Sequence, residues 1–186
     1  TQAELLGFPF RAIDGTPMVE AIAGNETPPR LIVTMIWDAG GRNVLGRWRD
    51  DWPYLESLIP QGAWYEHATV GTSPTSTAQT HATIGTGAFP DAHGIVAHRL
   101  RIGDELTTPW AKGPAYLVEP TLADLYDRAM GNEPVVGEIG TVSIHLGMLG
   151  HGAMWGGGDE DIAVIREKVD AETLGAEGFE WNLTPV

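Results

Sequence analysis

Residues Arg30 to Trp37 (RLIVTMIW) form a nearly unbroken apolar, partly β-branched run that stops at Asp38 and is followed by Gly40-Gly41. Such a run is too short for a typical buried helix and has no polar alternation. It predicts a strand covered on both faces, the kind found in a parallel sheet. A second strand is expected over Ala63–Val70, and between the two Pro53–Ile59 places Leu55, Leu58 and Ile59 on one helical face behind a first-turn proline. Ser76–Ile84 follows a Ser-Pro-Thr turn as another helix. Arg99–Thr107 reads as a hairpin around Gly103-Asp104. Thr121–Met130 has a threonine N-cap and Gly131 past its end, and Asp159–Val169 reads as a helix with acids at its positive end. Pro134–Gly140 and Ala153–Trp155 complete the expected strands. The alternation predicts an α/β fold with a mostly parallel sheet flanked by helices, behind an irregular, Gly-, Pro- and Thr-rich segment over residues 1–29.

Composition narrows the function. The 186 residues are 42% apolar and 19% charged, as in an ordinary folded domain. A formal charge of -14 repels phosphate backbones and argues against a nucleic-acid scaffold binder. A site for an anionic substrate would need its own local positive charge, and a metal ion is one source. With no cysteine, disulfides, thiolate zinc sites and a cysteine nucleophile are excluded, while the compartment stays open. No apolar run reaches membrane-span length, and TQAELLGFPF does not read as a signal peptide. No glycine-rich P-loop with its lysine is present.

The chemistry concentrates in TSTAQTHATIGTGAFPDAHGIVAH, Thr75 to His98, which holds five threonines and three of the six histidines. In a parallel sheet, ligands gather at the carboxyl ends of the strands. Asp38 ends the first expected strand and Thr77 opens the helix after the second, so both fall on that edge. A carboxylate there suits a divalent metal. A threonine hydroxyl needs a metal or base to become a nucleophile, and a helix N-terminus offers N–H donors to an anion. The plain alternatives are a turn-forming Asp38, a capping Thr77 and packed histidines.

The segment resembles the signature of the alkaline phosphatase superfamily in its type I phosphodiesterase/nucleotide pyrophosphatase branch. The family's Thr-x-x-x-His and T-G-x-x-P-x-x-H-G-I runs correspond to Thr77 and His81, then Thr86-Gly87, Pro90 and His93-Gly94-Ile95. Upstream, LIVTMIWD, PYLESLIPQG and AWYEHATV follow the family order; downstream, PTLADLYDRAM and VVGEIG resemble its next helix and strand. The resemblance implies that residues 30–186 are the N-terminal part of an alkaline-phosphatase-like α/β catalytic domain, incomplete in this chain. It implies two divalent metal ions, zinc in kind, with Asp38 and Thr77 sharing one, and Thr77 attacking phosphorus in a phosphodiester or nucleotide pyrophosphate. His81 and His93 would pack and hydrogen-bond rather than bind metal.

Three departures qualify it. His98 stands where the family carries an asparagine that contacts a phosphate oxygen, and could donate in its place. Ser143–Gly147 lacks the lysine and arginine of the monoesterase segment, which tilts the expectation to diesters or pyrophosphates. The family's later D-x-x-x-H and D-H-G ligand patterns do not follow Ile95. His151 has no paired carboxylate, and Asp159, Glu160 and Asp161 read as a helix start. The chain is therefore expected to be inactive alone, its remaining ligands coming from a second polypeptide or a C-terminal half. The alternative is a non-catalytic anion-binding or interaction domain that keeps the fold.

Overall fold

The computed structural model describes residues 1–10, 12–22, 24, 27–111, 115–141, 148–150, 161–169 and 178–185. They fall into two units, one of residues 1–11 and 16–69, the other of residues 12–15 and 70–186.

The second unit carries the motif. Helix α4 (Thr77–Thr86) buries Ala78, Gln79, His81, Ala82, Gly85 and Thr86, the spacing of one helical face. Ala78 and Ala82 pack with Ile95, Leu100 and Met148, and Trp110, Tyr116 and Leu117 close over them. Gly85 permits a close crossing: a Cβ there would stand 2.6 Å from the Met148 carbonyl oxygen. The helix ends at Gly87, whose φ of 68° is the left-handed cap conformation, and the short helix α5 (Pro90–His93) ends the same way at Gly94, φ 83°. Strands β1 (Leu100–Ile102) and β2 (Glu105–Thr107) pair antiparallel across Gly103, φ 61°, as the sequence predicts. Helix α6 (Leu122–Ala129) is capped by Thr121, whose Oγ1 accepts from Asp124 N–H at 3.2 Å.

Strand β3 (Gly137–Gly140) pairs parallel with β4 (Ile162–Val169), which pairs antiparallel with β5 (Gly178–Pro185). The α/β character holds. The pairings among the described residues are one parallel ladder beside two antiparallel ones, not the mostly parallel sheet expected. The expected helix over Asp159–Val169 is also corrected, since residues 162–169 are a strand. Ile162, Val164 and Ile165 favour extended backbone, and two ladders fix it. Asp161 caps no helix. Its Oδ1 accepts from Val136 N–H at 2.7 Å and aligns the start of β4 with β3.

The first unit contains α1 (Gln2–Leu5), α2 (Arg42–Arg47) and α3 (Pro53–Leu58). The two strands expected here do not form. Residues 31–37 belong to no described ladder and leave Leu31, Val33 and Met35 76%, 73% and 64% exposed. A strand exists only with a partner, and every described pairing uses residues 100–107, 137–140, 162–169 or 178–185. Over residues 63–70 a turn at Glu66-His67, with Ala68 N–H bonded to the Tyr65 carbonyl, interrupts the extended chain. Ala153–Trp155 lies outside the described residues.

Candidate functional site

Thr77 is the first residue of α4 and is half-buried. Ser76, its N-cap, has the extended backbone of a cap but makes no side-chain capping bond. Its hydroxyl donates instead to the Gln79 side-chain oxygen. Gln79 Nε2 in turn donates to the Val96 carbonyl at 3.2 Å. The S-x-x-Q spacing is that of a capping box, yet both side chains are engaged elsewhere, so Ser76 does not cover the first-turn N–H groups. The positive end of the helix dipole therefore lies at Thr77 without a side-chain cap from its neighbour.

The histidines hold this segment in place. His81, buried, donates from Nδ1 to the Thr77 carbonyl at 2.8 Å, one turn back. His93 is fully buried. Its Nδ1 accepts from Ile95 N–H at 3.1 Å, so the proton of the neutral ring sits on Nε2 and is donated to Thr83 Oγ1 at 3.0 Å. Burial lowers the His93 pKa, and the neighbouring Asp91 and Asp14 only partly oppose this. Asp14 accepts from Phe89 N–H at 2.7 Å, and Asp14 and Gly15 N–H both donate to the Gly87 carbonyl, bracing the turn between α4 and α5. These contacts are the packing and hydrogen-bonding roles that the resemblance implies for His81 and His93.

His98 is exposed, two residues past the Val96 carbonyl that Gln79 holds. Its ring meets Trp110 edge-on, centroids 4.7 Å apart at 64°.

Asp38 lies in the first unit, exposed, at the corner of a turn that Gly40 N–H closes on the Trp37 carbonyl at 2.8 Å. The next residue, Ala39, has φ 59°, left-handed backbone that costs a residue with a Cβ about 1 kcal/mol. Asp38 thus belongs to one unit, Thr77 and His98 to the other.

A carboxylate and a hydroxyl are the right donors for a hard divalent ion, but they are too few for a complete shell. Among the described residues no three His, Asp or Glu side chains are grouped to hold a metal. The described residues therefore do not by themselves fit a full metal centre. His145, His151, Asp159 and Glu160, and the Ser143–Gly147 segment, lie outside them.

One buried acid escapes sequence reading. Glu138 on β3 is 8% exposed and neither carboxyl oxygen finds a hydrogen-bond partner among the described residues. Burial, and then the charge of Asp124, pushes its pKa up to about 9, so it is protonated at neutral pH. The signal was the lone acid in VVGEIG: strand alternation puts Glu138 on the face opposite the 74%-exposed Ile139.

The family model for type I phosphodiesterase / nucleotide pyrophosphatase matches residues 32–182, most of the chain. No curated protein and no solved structure matches it significantly.

Proposed function

Because this chain belongs to the type I phosphodiesterase / nucleotide pyrophosphatase family, we propose that it cleaves phosphodiester or pyrophosphate bonds with Thr77 as the nucleophile. The observation that supports this most is the setting of Thr77. It opens a ten-residue helix whose N-cap side chain is drawn away to Gln79, inside the family's Thr-x-x-x-His run.

In this reading an anionic phosphoryl group approaches the N-terminus of α4, where backbone dipoles favour negative charge. The Thr77 hydroxyl oxygen bonds to phosphorus, the bond from phosphorus to the leaving oxygen breaks, and the hydroxyl proton passes to solvent. Water then cleaves the Thr77 ester and restores the hydroxyl. His81 fixes the Thr77 backbone through the carbonyl it holds. His98, exposed at the end of the segment Gln79 anchors, donates to a non-bridging oxygen. The family resemblance implies Asp38 and Thr77 as donors to divalent ions, zinc in kind. Such ions would lower the hydroxyl's pKa and neutralise phosphoryl charge. The remaining donors would come from outside the described residues.

The test is turnover of a chromogenic phosphodiester by the complete enzyme with zinc supplied, for the wild type, Thr77→Ala and Thr77→Ser. The expected result is a loss of at least about 1000-fold in kcat for Thr77→Ala and partial activity for Thr77→Ser. A diester should be turned over faster than the matching monoester. Thr77→Ala working at the wild-type rate would overturn the assignment. A complete wild type that binds phosphate but turns nothing over would favour a non-catalytic anion-binding domain.

A further inference from the structure

In the unit that holds residues 16–69, a pocket of about 350 Å³ lies among three indoles, Trp37, Trp48 and Trp52. Val44 and Leu45 add aliphatic wall, and among the described residues Asp51 is the one charged residue that lines it. The volume suits a small molecule. Local structure builds it: the turn closed by Gly40 places Trp37 ahead of α2, which carries Val44 and Leu45 and ends beside Trp48. Trp52 Nε1–H donates to the Leu45 carbonyl at 3.0 Å, so its only polar group is already engaged. Trp37 and Trp48 stay 43% and 55% exposed, large apolar rings kept at the surface around a cavity.

These walls have a chemical preference. Indole faces are electron-rich and attract cations, and the Trp48 ring already has the Arg47 guanidinium 5.5 Å from its centroid. Asp51 adds a formal negative charge that repels an anion. Two nearby arginines are engaged elsewhere, Arg49 with Glu56 and Arg42 with Glu66 at 3.7 Å. A bare ammonium would lose much of its hydration among apolar walls, whereas a cation wrapped in methyl groups loses little. We propose that this pocket binds the quaternary ammonium group of a small, choline-like organic cation. The proposal does not depend on the hydrolase reading.

The test titrates choline, and its neutral isostere in which a tert-butyl group replaces the trimethylammonium, into the purified protein. Heat release and tryptophan fluorescence are followed. Choline should saturate a single site and bind at least about tenfold more tightly than the isostere. Asp51→Asn should remove most of that difference. Trp48→Phe, which keeps an aromatic ring and is checked for folding by circular dichroism, should weaken choline. Equal binding of the two ligands, absence of saturation, or choline binding unaltered by both substitutions would overturn the proposal.

Discussion

In the proposed reading Thr77 reacts, and His93 supports the segment that carries it. Thr77 carries the hydroxyl at a helix start, while His93 is sealed in the core with both ring nitrogens committed to Ile95 N–H and Thr83 Oγ1. Replacing His93 by leucine removes both partners at once and leaves a buried N–H unsatisfied. We expect a loss of about 2 kcal/mol in stability, read as a lower urea midpoint. An unchanged midpoint would mean that this ring only fills space. The roles of His81 and His93 were legible because the motif fixes their spacing. The buried state of Glu138 was less so, because it depends on what packs over β3 from elsewhere in the chain. The Ser76–Gln79 bond was hidden behind a capping-box pattern, which only the competing Val96 carbonyl disrupts.

At the scale of elements, local signals were read well and pairings poorly. α4, α6 and the β1–β2 hairpin follow from caps, glycines and apolar spacing that lie within each segment. The run Leu31–Trp37 satisfied every local criterion for a buried strand, but strand formation needs a neighbour, which no local pattern specifies. Residues 162–169 were misread because acids ahead of them resembled a helix start, while Asp161 bonds Val136 and the β-branched residues join two ladders. The turn after Asp38 carries a testable cost. Ala39→Gly removes the Cβ from a φ of 59° and should raise stability by about 1 kcal/mol. A loss of stability would show that Ala39 is not strained. Conversely Gly94→Ala, at φ 83° and with its new Cβ 2.8 Å from Val118 Cγ2, should destabilise by more than about 1 kcal/mol in the same urea assay.

At the scale of the whole molecule, two buried groups among the described residues shape the pH dependence. Glu138, with a pKa raised from 4.5 to about 9, keeps a proton in the folded state that the unfolded chain has released across that window. Its contribution to stability therefore falls as pH rises from 4.5 to 9. His93, lowered from 6.5, acts the other way and only below 6.5, where the unfolded chain binds the extra proton. Above neutrality the Glu138 effect stands without that opposition. Stability should decline from pH 7 to 9 by at most about 1.4 kcal/mol per unit, and Glu138→Gln should flatten the decline. A wild-type profile identical to that of Glu138→Gln would contradict this. Family membership was legible from one segment, because that signature is local, and the proposal for Thr77 rests on the same residues. A metal shell could not be read in the same way, because donors to a metal ion converge from distant parts of a chain. The most direct experiment quenches the complete enzyme in acid during turnover of a phosphodiester with zinc supplied, then maps the peptide containing residues 75–98 by mass spectrometry. A phosphoester on Thr77, absent from Thr77→Ala, is the expected result. Turnover without an adduct, or an adduct on any other residue, would contradict Thr77 as the nucleophile.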